Sequence, residues 1–219
     1  MPARLRPTAP IAPSALLVGD PGRALALAQE LLEAPKMSNH ARGLWGYSGT
    51  STVGRPLTIQ STGMGGPSAA VVVDDLAELG VRRAVRVGTC TALRPELEPG
   101  ALVAVTEAHA WSGPGGGSGE AVAPDSELAL ALSTALGGAA RSGTAASLDV
   151  LHGGGAPPPV AEGDVADMQT AALLGTARGL GIAAAAVLIV SEGADGTGLG
   201  DEQLEAAAKL AGNAAIQVL

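Results

Sequence analysis

Aromatic side chains are almost absent from this chain of 219 residues, which contains no Phe, one Tyr and two Trp. The chain is long enough for one domain, or at most two, and for a sizeable hydrophobic core. Because aromatic rings cannot fill that core, it must be built from Ala, Val and Leu. Such small side chains favour close packing of helices on a sheet, and the 32 glycines indicate many tight turns.

Cysteine and basic residues are also scarce. A single Cys excludes an internal disulfide framework and is typical of a reducing, cytoplasmic location. The 13 Lys and Arg are outnumbered by 21 Asp and Glu, and the formal net charge of -8 argues against nucleic acid as a partner. No apolar run approaches the length of a membrane span, and we see no apolar core and cleavage site of a signal peptide.

Apolar periodicity predicts alternating strands and helices along most of the chain. Strands are expected at 15–18, 44–51, 56–61, 83–87, 101–106, 139–148 and 182–190, and helices at 24–32, 68–79, 126–136, 167–179 and 201–219. This alternation indicates one α/β domain, residues 14–219, with three layers and a central mixed, largely parallel sheet. Residues 1–13 are predicted to form a loose arm. Two segments rich in Gly or Pro, 112–119 and 152–159, are expected to be irregular loops.

The stretch 62–93 is the centre of the predicted fold. It opens with the glycine-rich segment 63–66, whose backbone can adopt positive φ angles, and Pro67 suits the first turn of the helix that follows. The next strand leads into a second polar loop at 88–91, so the stretch forms one crossover of a parallel sheet. Both loops offer backbone N–H groups, and Arg86 lies two residues before the second loop. This combination suits an oxyanion such as phosphate.

A similar loop follows the first predicted strand, in the segment Gly19-Asp20-Pro21-Gly22-Arg23. Asp20 can cap the next helix, and Arg23 lies in its first turn, near the positive end of the helix dipole. An arginine is unfavourable there unless an anion is bound; the alternative is a solvated surface arginine. Since ligands bind at the carboxyl ends of parallel strands, both loops are expected at one anion site. Asp20 is the one acidic residue in these motifs, so the empty site is expected to be net positive.

These motifs resemble the signature of a known family. The segments TGMGGPS at 62–68 and RVGTC at 86–90, with Asp75-Leu76 between them, are similar to the purine-nucleoside and uridine phosphorylase family, of the hexameric nucleoside phosphorylase type. The resemblance extends from about Leu16 to the C-terminus and implies the fold of that family. It also implies a pentosyltransferase with phosphate as co-substrate and no further cofactor. Such an enzyme reversibly cleaves a purine or pyrimidine nucleoside into free base and (deoxy)ribose 1-phosphate.

The resemblance assigns a phosphate site residue by residue, to Gly19, Arg23, Arg42, Arg86 and Thr89. Arginine pairs bidentately with phosphate oxygens, while backbone amides and a hydroxyl complete the cradle. Arg42 is implied to reach the phosphate of a neighbouring subunit, although sequence alone would make it a surface loop charge. The partners implied are therefore a nucleoside, inorganic phosphate and further copies of the chain. We expect a dimer that shares Arg42, and a hexamer built from three such dimers.

The sugar site departs from the family pattern at one position. The segment 166–171, ADMQTA, is similar to the family's Val-Glu-Met-Glu-Ala-Ala. The resemblance implies that Met168 lies under the sugar and that Gln169 replaces the glutamate that accepts hydrogen bonds from both ribose hydroxyls. A glutamine offers one carbonyl acceptor in place of two carboxylate oxygens, which weakens bidentate acceptance. A core methionine and a polar residue on a half-exposed helix face are the structural alternatives for these two positions.

The base site departs further. Ser191 and Glu192 match a Val-Ser-Asp segment whose aspartate protonates the purine ring, so the resemblance makes Glu192, with Arg86, a catalytic candidate. The extra methylene of glutamate shifts that carboxyl group, and a misplacement of this size can lower the rate roughly a hundredfold. Leu151 and His152 replace aromatic residues of the uridine-specific members, and the glutamine and arginine that read uracil are missing.

Other classes of protein stay open. A hydrolytic nucleosidase shares this fold but would not need the phosphate arginines. A catalytically impaired homologue that binds a nucleoside or phosphate would explain Gln169 and the missing base contacts. Dinucleotide binding is disfavoured because Gly63-x-Gly65 lacks the correctly spaced third glycine. The Cys and His residues show no metal-ligand spacing, so no metal site is expected.

Overall fold

The structure is a computed structural model that describes residues 4–112, 117–149 and 163–219. Leu151, His152 and the predicted loop at 152–159 lie outside the described residues. In the part of the chain that is described, no helix is both long and apolar enough to cross a membrane.

The described residues form ten strands and five α-helices. The strands are β1 Ser14–Val18, β2 Leu32–Asn39, β3 Gly46–Ser51, β4 Pro56–Ser61, β5 Arg83–Ala92, β6 Leu102–Ser112, β7 Gly117–Val122, β8 Ala140–Leu148, β9 Val165–Asp167 and β10 Ala183–Glu192. The helices are α1 Pro21–Leu31, α2 Gly66–Glu78, α3 Ser126–Leu136, α4 Thr170–Gly179 and α5 Asp201–Val218. Every predicted helix and every predicted strand therefore has a counterpart.

All these strands belong to one mixed sheet in the order β10-β6-β8-β9-β5-β1-β4-β3-β2, with β7 on β6. The strand β10 also pairs with β5, so β5, β10, β6, β8 and β9 form a closed ring. Parallel pairs join β4, β1, β5 and β10 at the centre and β6, β8 and β9 beside it. Antiparallel pairs add β3, β2 and β7 and help to close the ring. The mixed α/β fold is as predicted, but the closed ring was not expected.

The hydrophobic core consists of two main clusters on opposite faces of the sheet. One contains residues of α2 and α4, and the other contains residues of α1, α3 and α5. The strand β10 supplies both in strict alternation, with Ala184, Ala186, Leu188 and Val190 in the first and Ala185, Val187 and Ile189 in the second. A strand covered by helices on both faces has this period of two. The three predicted layers are confirmed.

The helices α1 and α2 begin with the side-chain cap and the glycine-rich turn that the sequence predicts. The Oδ1 atom of Asp20 accepts a hydrogen bond from the backbone N–H of Arg23 at 2.7 Å, which caps α1. The helix α2 begins at Gly66, directly after a turn in which Gly63 and Gly65 have φ angles of 73° and 82°. Positive φ angles are accessible to glycine at little cost. The glycine-rich turn and the cap thus place both loops at the carboxyl ends of their strands.

Several predicted boundaries are wrong. The polar loop predicted at 88–91 lies inside β5, which continues to Ala92 because these residues pair with β10 and β9. The helix predicted from 167 begins at Thr170, because Val165–Asp167 pairs with β5 and β8 as the strand β9. The N-terminal segment is not a loose arm where it is described. Leu5 is buried, and the backbone N–H groups of Arg4 and Leu5 both donate to Asp75 Oδ2 at 2.7 Å. A buried carboxylate therefore fixes a segment that has no periodicity of its own.

Two edge strands were not predicted. Five consecutive residues of β2 are exposed, and its pairing with β3 has two register shifts, so the strand lacks alternation. The strand β7 includes residues 117–119 of the predicted Gly-rich loop and pairs with β6, which extends to Ser112. Edge strands need to bury little apolar surface, and their sequences carry a weak signal for that reason.

Candidate functional site

A cavity of about 390 Å³ opens where β1, β5 and β9 end. Its size falls in the range of small-molecule sites. The loop after β1, the glycine-rich turn before α2, the end of β5 and the β9–α4 junction supply its walls. The structure brings six of the candidate site residues together there: Gly19, Arg23, Arg86, Thr89, Met168 and Gln169.

Arg86 is the buried cation of this cavity, with 4% of its surface exposed. Its Nη2 donates to Asp167 Oδ2 at 3.0 Å, its Nη1 to Gln169 Oε1 at 2.8 Å, and its Nε to Thr170 Oγ1 at 3.1 Å. A guanidinium group has five N–H groups. Two of them therefore remain without a hydrogen bond to any described residue, on a group whose orientation is fixed. Such a group is suited to bind an oxyanion.

Asp167 holds Arg86 in place. Its carboxylate is 1% exposed and also accepts hydrogen bonds from the hydroxyl of Ser147 and from the backbone N–H and hydroxyl of Thr170. A buried ion pair is tolerated when the remaining lone pairs are satisfied in this way. The expectation of a net positive empty site is wrong, because two carboxylates, Asp167 and Asp20, offset the two arginines of the cavity.

Arg23 supplies the second positive charge of the cavity. The side chain is half-buried, and this burial lowers the pKa of the guanidinium, which Asp20 raises and Arg86 lowers. Since an arginine stays protonated in proteins, the influence of Arg86 means that two like charges lie close enough to repel each other. An anion bound by both would relieve this repulsion. Thr89, half-buried at the end of β5, adds a hydroxyl group beside them.

Gln169 connects the glycine-rich turn with Arg86. Its Nε2 donates to the carbonyl oxygen of Gly63 at 2.6 Å and of Gly65 at 3.3 Å. Its Oε1 accepts from Arg86 and lies 2.9 Å from the hydroxyl of Thr62. The side chain is 3% exposed and precedes α4, so it does not lie on a half-exposed helix face. Met168, beside it, is half-buried and lines the cavity.

The remaining candidates are not brought into these walls. Arg42 is exposed in the short turn Ala41–Gly43, with a φ angle of 59°. Ser191 and Glu192 end β10; the hydroxyl of Ser191 donates to Cys90 O at 3.1 Å, and Glu192 is exposed. The described part of one chain thus collects the residues that the resemblance assigned to phosphate, except Arg42, together with Met168 and Gln169. It does not assemble a side for the base.

Four residues that shape the site were not singled out from the sequence: Thr62, Gly88, Asp167 and Thr170. Among these four, Asp167 has the clearest sequence signal, because it is an acidic residue two positions before Gln169. Its partner Arg86 is 81 residues away, so the pairing could not be read from local spacing.

The hydrogen-bond donors of the cavity are suited to an anion. Two guanidinium groups, a hydroxyl group and a loop rich in backbone N–H groups converge on it. Within the described ranges, no group of three or more His, Cys, Asp or Glu residues is arranged to hold a metal ion.

Known proteins match part of this chain in sequence and nearly all of it in fold. A purine nucleoside phosphorylase of the DeoD type from Oceanobacillus iheyensis is 43% identical over 88 residues, which are 40% of this chain and 37% of the relative. A second one, from Caldanaerobacter subterraneus, is 42% identical over 89 residues, 40% of this chain and 38% of the relative. The matched stretches therefore span well under half of these relatives.

Solved structures match the fold along nearly the whole chain. A uridine phosphorylase from Phytophthora capsici superposes with a TM-score of 0.85 at 24% identity, covering 100% of this chain and 92% of the other. A purine nucleoside phosphorylase from Toxoplasma gondii, solved with immucillin-H, gives 0.79 at 24% identity and covers 94% and 93%. The family model described as the phosphorylase superfamily matches residues 13–219. The chain belongs to the phosphorylase superfamily.

Proposed function

We propose that the protein is a nucleoside phosphorylase, which uses inorganic phosphate to split a nucleoside into free base and (deoxy)ribose 1-phosphate. The observation that carries the proposal is the fixed orientation of Arg86 beside Arg23 at the carboxyl ends of the central strands. A phosphate held by both guanidinium groups would be fixed in place, with its attacking oxygen positioned. Positioning of this kind can account for a large part of an enzymatic rate acceleration.

In the proposed reaction, a phosphate oxygen forms a bond to the anomeric carbon of the sugar while the N-glycosidic bond breaks. Thr89 and the loop amides complete the phosphate cradle around the two arginines. The leaving base takes up a proton or a hydrogen bond. The family resemblance gives this role to Glu192, although Glu192 is exposed at the end of β10 and does not line the cavity. Met168, half-buried at the cavity wall, offers an apolar surface to the sugar.

The proposal includes a homo-oligomer. Arg42 is exposed and does not line the cavity of its own chain, which is the position expected of a residue that serves a neighbouring subunit. A dimer that exchanges Arg42, and a hexamer of three dimers, remain predictions. The cytoplasmic location expected from the single cysteine remains a prediction as well.

The experiment is a panel of purine and pyrimidine nucleosides, assayed for base release with and without orthophosphate. The proposal requires release that depends on phosphate. Release at the same rate without phosphate would instead identify a hydrolytic nucleosidase. No release, combined with measurable phosphate binding, would identify a binding protein. A Glu192→Gln variant tests the proton donor, because it should lower kcat and leave the affinity for orthophosphate unchanged.

A further inference from the structure

The amide of Gln169 has one possible orientation. An arginine N–H can donate and cannot accept, whereas a backbone carbonyl oxygen can accept and cannot donate. The oxygen of the amide must therefore face Arg86, and the nitrogen must face the carbonyls of Gly63 and Gly65, as in the structure. This position needs an acceptor and a donor on the same side chain.

A glutamate would fit this position poorly although it has the same shape. Its second carboxylate oxygen would lie about where Nε2 lies, 2.6 Å from the carbonyl oxygen of Gly63, with no hydrogen between the two. Two acceptors at that distance repel each other, and the turn would lose both hydrogen bonds that hold it. The glutamine is therefore matched to its surroundings.

The same contacts leave Gln169 without capacity for a ligand. Its two N–H groups serve two carbonyls, and its oxygen is faced by Arg86 and by the Thr62 hydroxyl. The neighbouring buried acceptor, Asp167, is 1% exposed and serves Arg86, Ser147 and Thr170. Sugar hydroxyls in the cavity would find no free acceptor on either side chain.

We propose that Gln169 is a positioning residue, which holds the glycine-rich turn against Arg86 and so fixes the anion site. The positioning role does not depend on the proposed nucleoside phosphorolysis.

The experiment measures the affinity of the intact protein for orthophosphate by calorimetry, without turnover. Gln169→Met removes the hydrogen bonds without adding a charge, and Gln169→Glu replaces the donor by an acceptor. Both variants should bind orthophosphate about tenfold more weakly or worse. Gln203→Met, an exposed glutamine on α5, is the control and should bind as the wild type does. If a Gln169 variant does not fold, Thr62→Val, which removes one contact to Gln169, should show a smaller loss in the same direction.

Unchanged orthophosphate affinity in Gln169→Met overturns the positioning role. Failure of the proposed function is distinct: wild-type protein would release no base with phosphate, while the orthophosphate affinities still follow the order given.

Discussion

Gly88 lies directly against the guanidinium group of Arg86. A methyl group built on Gly88 would come within 2.6 Å of Arg86 Cζ and Nη2 and within 2.7 Å of a methyl carbon of Leu188. Both distances are far below van der Waals contact. The absence of a side chain at position 88 thus creates the space in which Arg86 turns toward Asp167 and the cavity.

We therefore expect Gly88→Ala to displace Arg86 and to weaken orthophosphate binding by about tenfold, the loss of roughly one charge-assisted hydrogen bond. Crowding against Leu188 should also lower the free energy of unfolding by about 1–3 kcal/mol. Calorimetric titration and urea denaturation measure the two effects. Gly138→Ala is the control, since a methyl there meets nothing within 4 Å and the backbone has no positive φ. Unchanged phosphate affinity in Gly88→Ala would contradict this account of Arg86.

The ion pair of Arg86 and Asp167 predicts a large effect on stability. Asp167→Asn keeps the shape but leaves a buried arginine without its counter-charge, which should cost about 3 kcal/mol or more of the free energy of unfolding. Asp74→Asn is the control: Asp74 also pairs with an arginine, Arg4, at 3.3 Å, but its side chain is 45% exposed. A pair of that kind should contribute less than about 1 kcal/mol. Equal losses in the two variants, measured by urea denaturation, would show that burial of the pair is not decisive.

The two cavity arginines predict the affinity for phosphate. Arg86→Ala and Arg23→Ala should each weaken orthophosphate binding by about 1.5–3 kcal/mol, roughly tenfold to a hundredfold. Arg82→Ala serves as the control, because Arg82 is exposed and precedes the amino end of β5, whereas the cavity lies at the carboxyl end of that strand. Since Arg86→Ala leaves Asp167 unpaired, its titration should be run well below its melting temperature. If both cavity variants bound orthophosphate as tightly as the wild type, the cavity would not be the anion site.

The sequence was sufficient for the parts of the fold that depend on local pattern. Asp20 predicted the cap of α1, and the glycines at 63–66 predicted the turn before α2. The closed ring could not be predicted in this way. It depends on β9, which has three residues and is too short for a periodic signal, and on its pairing with residues 20 or more positions away.

The predictions for the site also divide into those that depend on local pattern and those that depend on distant contacts. Residue types in single loops indicated an anion site, and the structure collects Arg23, Arg86 and Thr89 around one cavity. The charge balance and the role of Gln169 depend on contacts across 81 to 107 residues. No local spacing encodes which acceptor an arginine will meet, so the neutralising Asp167 could be found only in the structure.

Cys90 predicts how stability changes at alkaline pH. Burial raises the pKa of its thiol, Asp167 raises it further and Arg86 lowers it, so the folded protein keeps the proton well above the ordinary value of 9.0. The unfolded chain releases the proton near that ordinary value. Above it, the unfolded state binds fewer protons than the folded state, and the free energy of unfolding must fall as the pH rises.

The contribution of Cys90 is isolated by comparing the wild type with Cys90→Ala. From about pH 9.5 to pH 10.5, the free energy of unfolding of the wild type should fall by about 1.4 kcal/mol more than that of the variant. Below about pH 8 the two pH profiles should run parallel, since the thiol is then protonated in both states. Urea denaturation across this range is the measurement. Parallel profiles at alkaline pH would mean that the folded thiol ionises as freely as the unfolded one.

The last prediction concerns Arg42 and the proposed exchange between subunits. If each site uses its own Arg23 and the Arg42 of a neighbour, Arg23→Ala and Arg42→Ala should each impair every site in a homo-oligomer. A mixed dimer of the two variants differs, because one site then combines an intact Arg23 with an intact partner Arg42. The two variants should be unfolded and refolded together, and separately as controls, and orthophosphate binding should be titrated.

Mixed dimers should regain wild-type affinity at one site of two, whereas each variant refolded alone should remain about tenfold weaker or worse, as expected for a lost charge-assisted contact. The exposed Arg55, which donates to the carbonyl oxygen of Gln217 within its own chain, supplies a matched control. A mixture of Arg55→Ala with Arg23→Ala should regain no affinity beyond that of its separately refolded components, because Arg55→Ala leaves its own sites intact. If the Arg23→Ala and Arg42→Ala mixture also gains nothing while exchange is verified by mass spectrometry, Arg42 does not serve a neighbouring site. A stable monomer in light scattering at micromolar concentration would lead to the same conclusion.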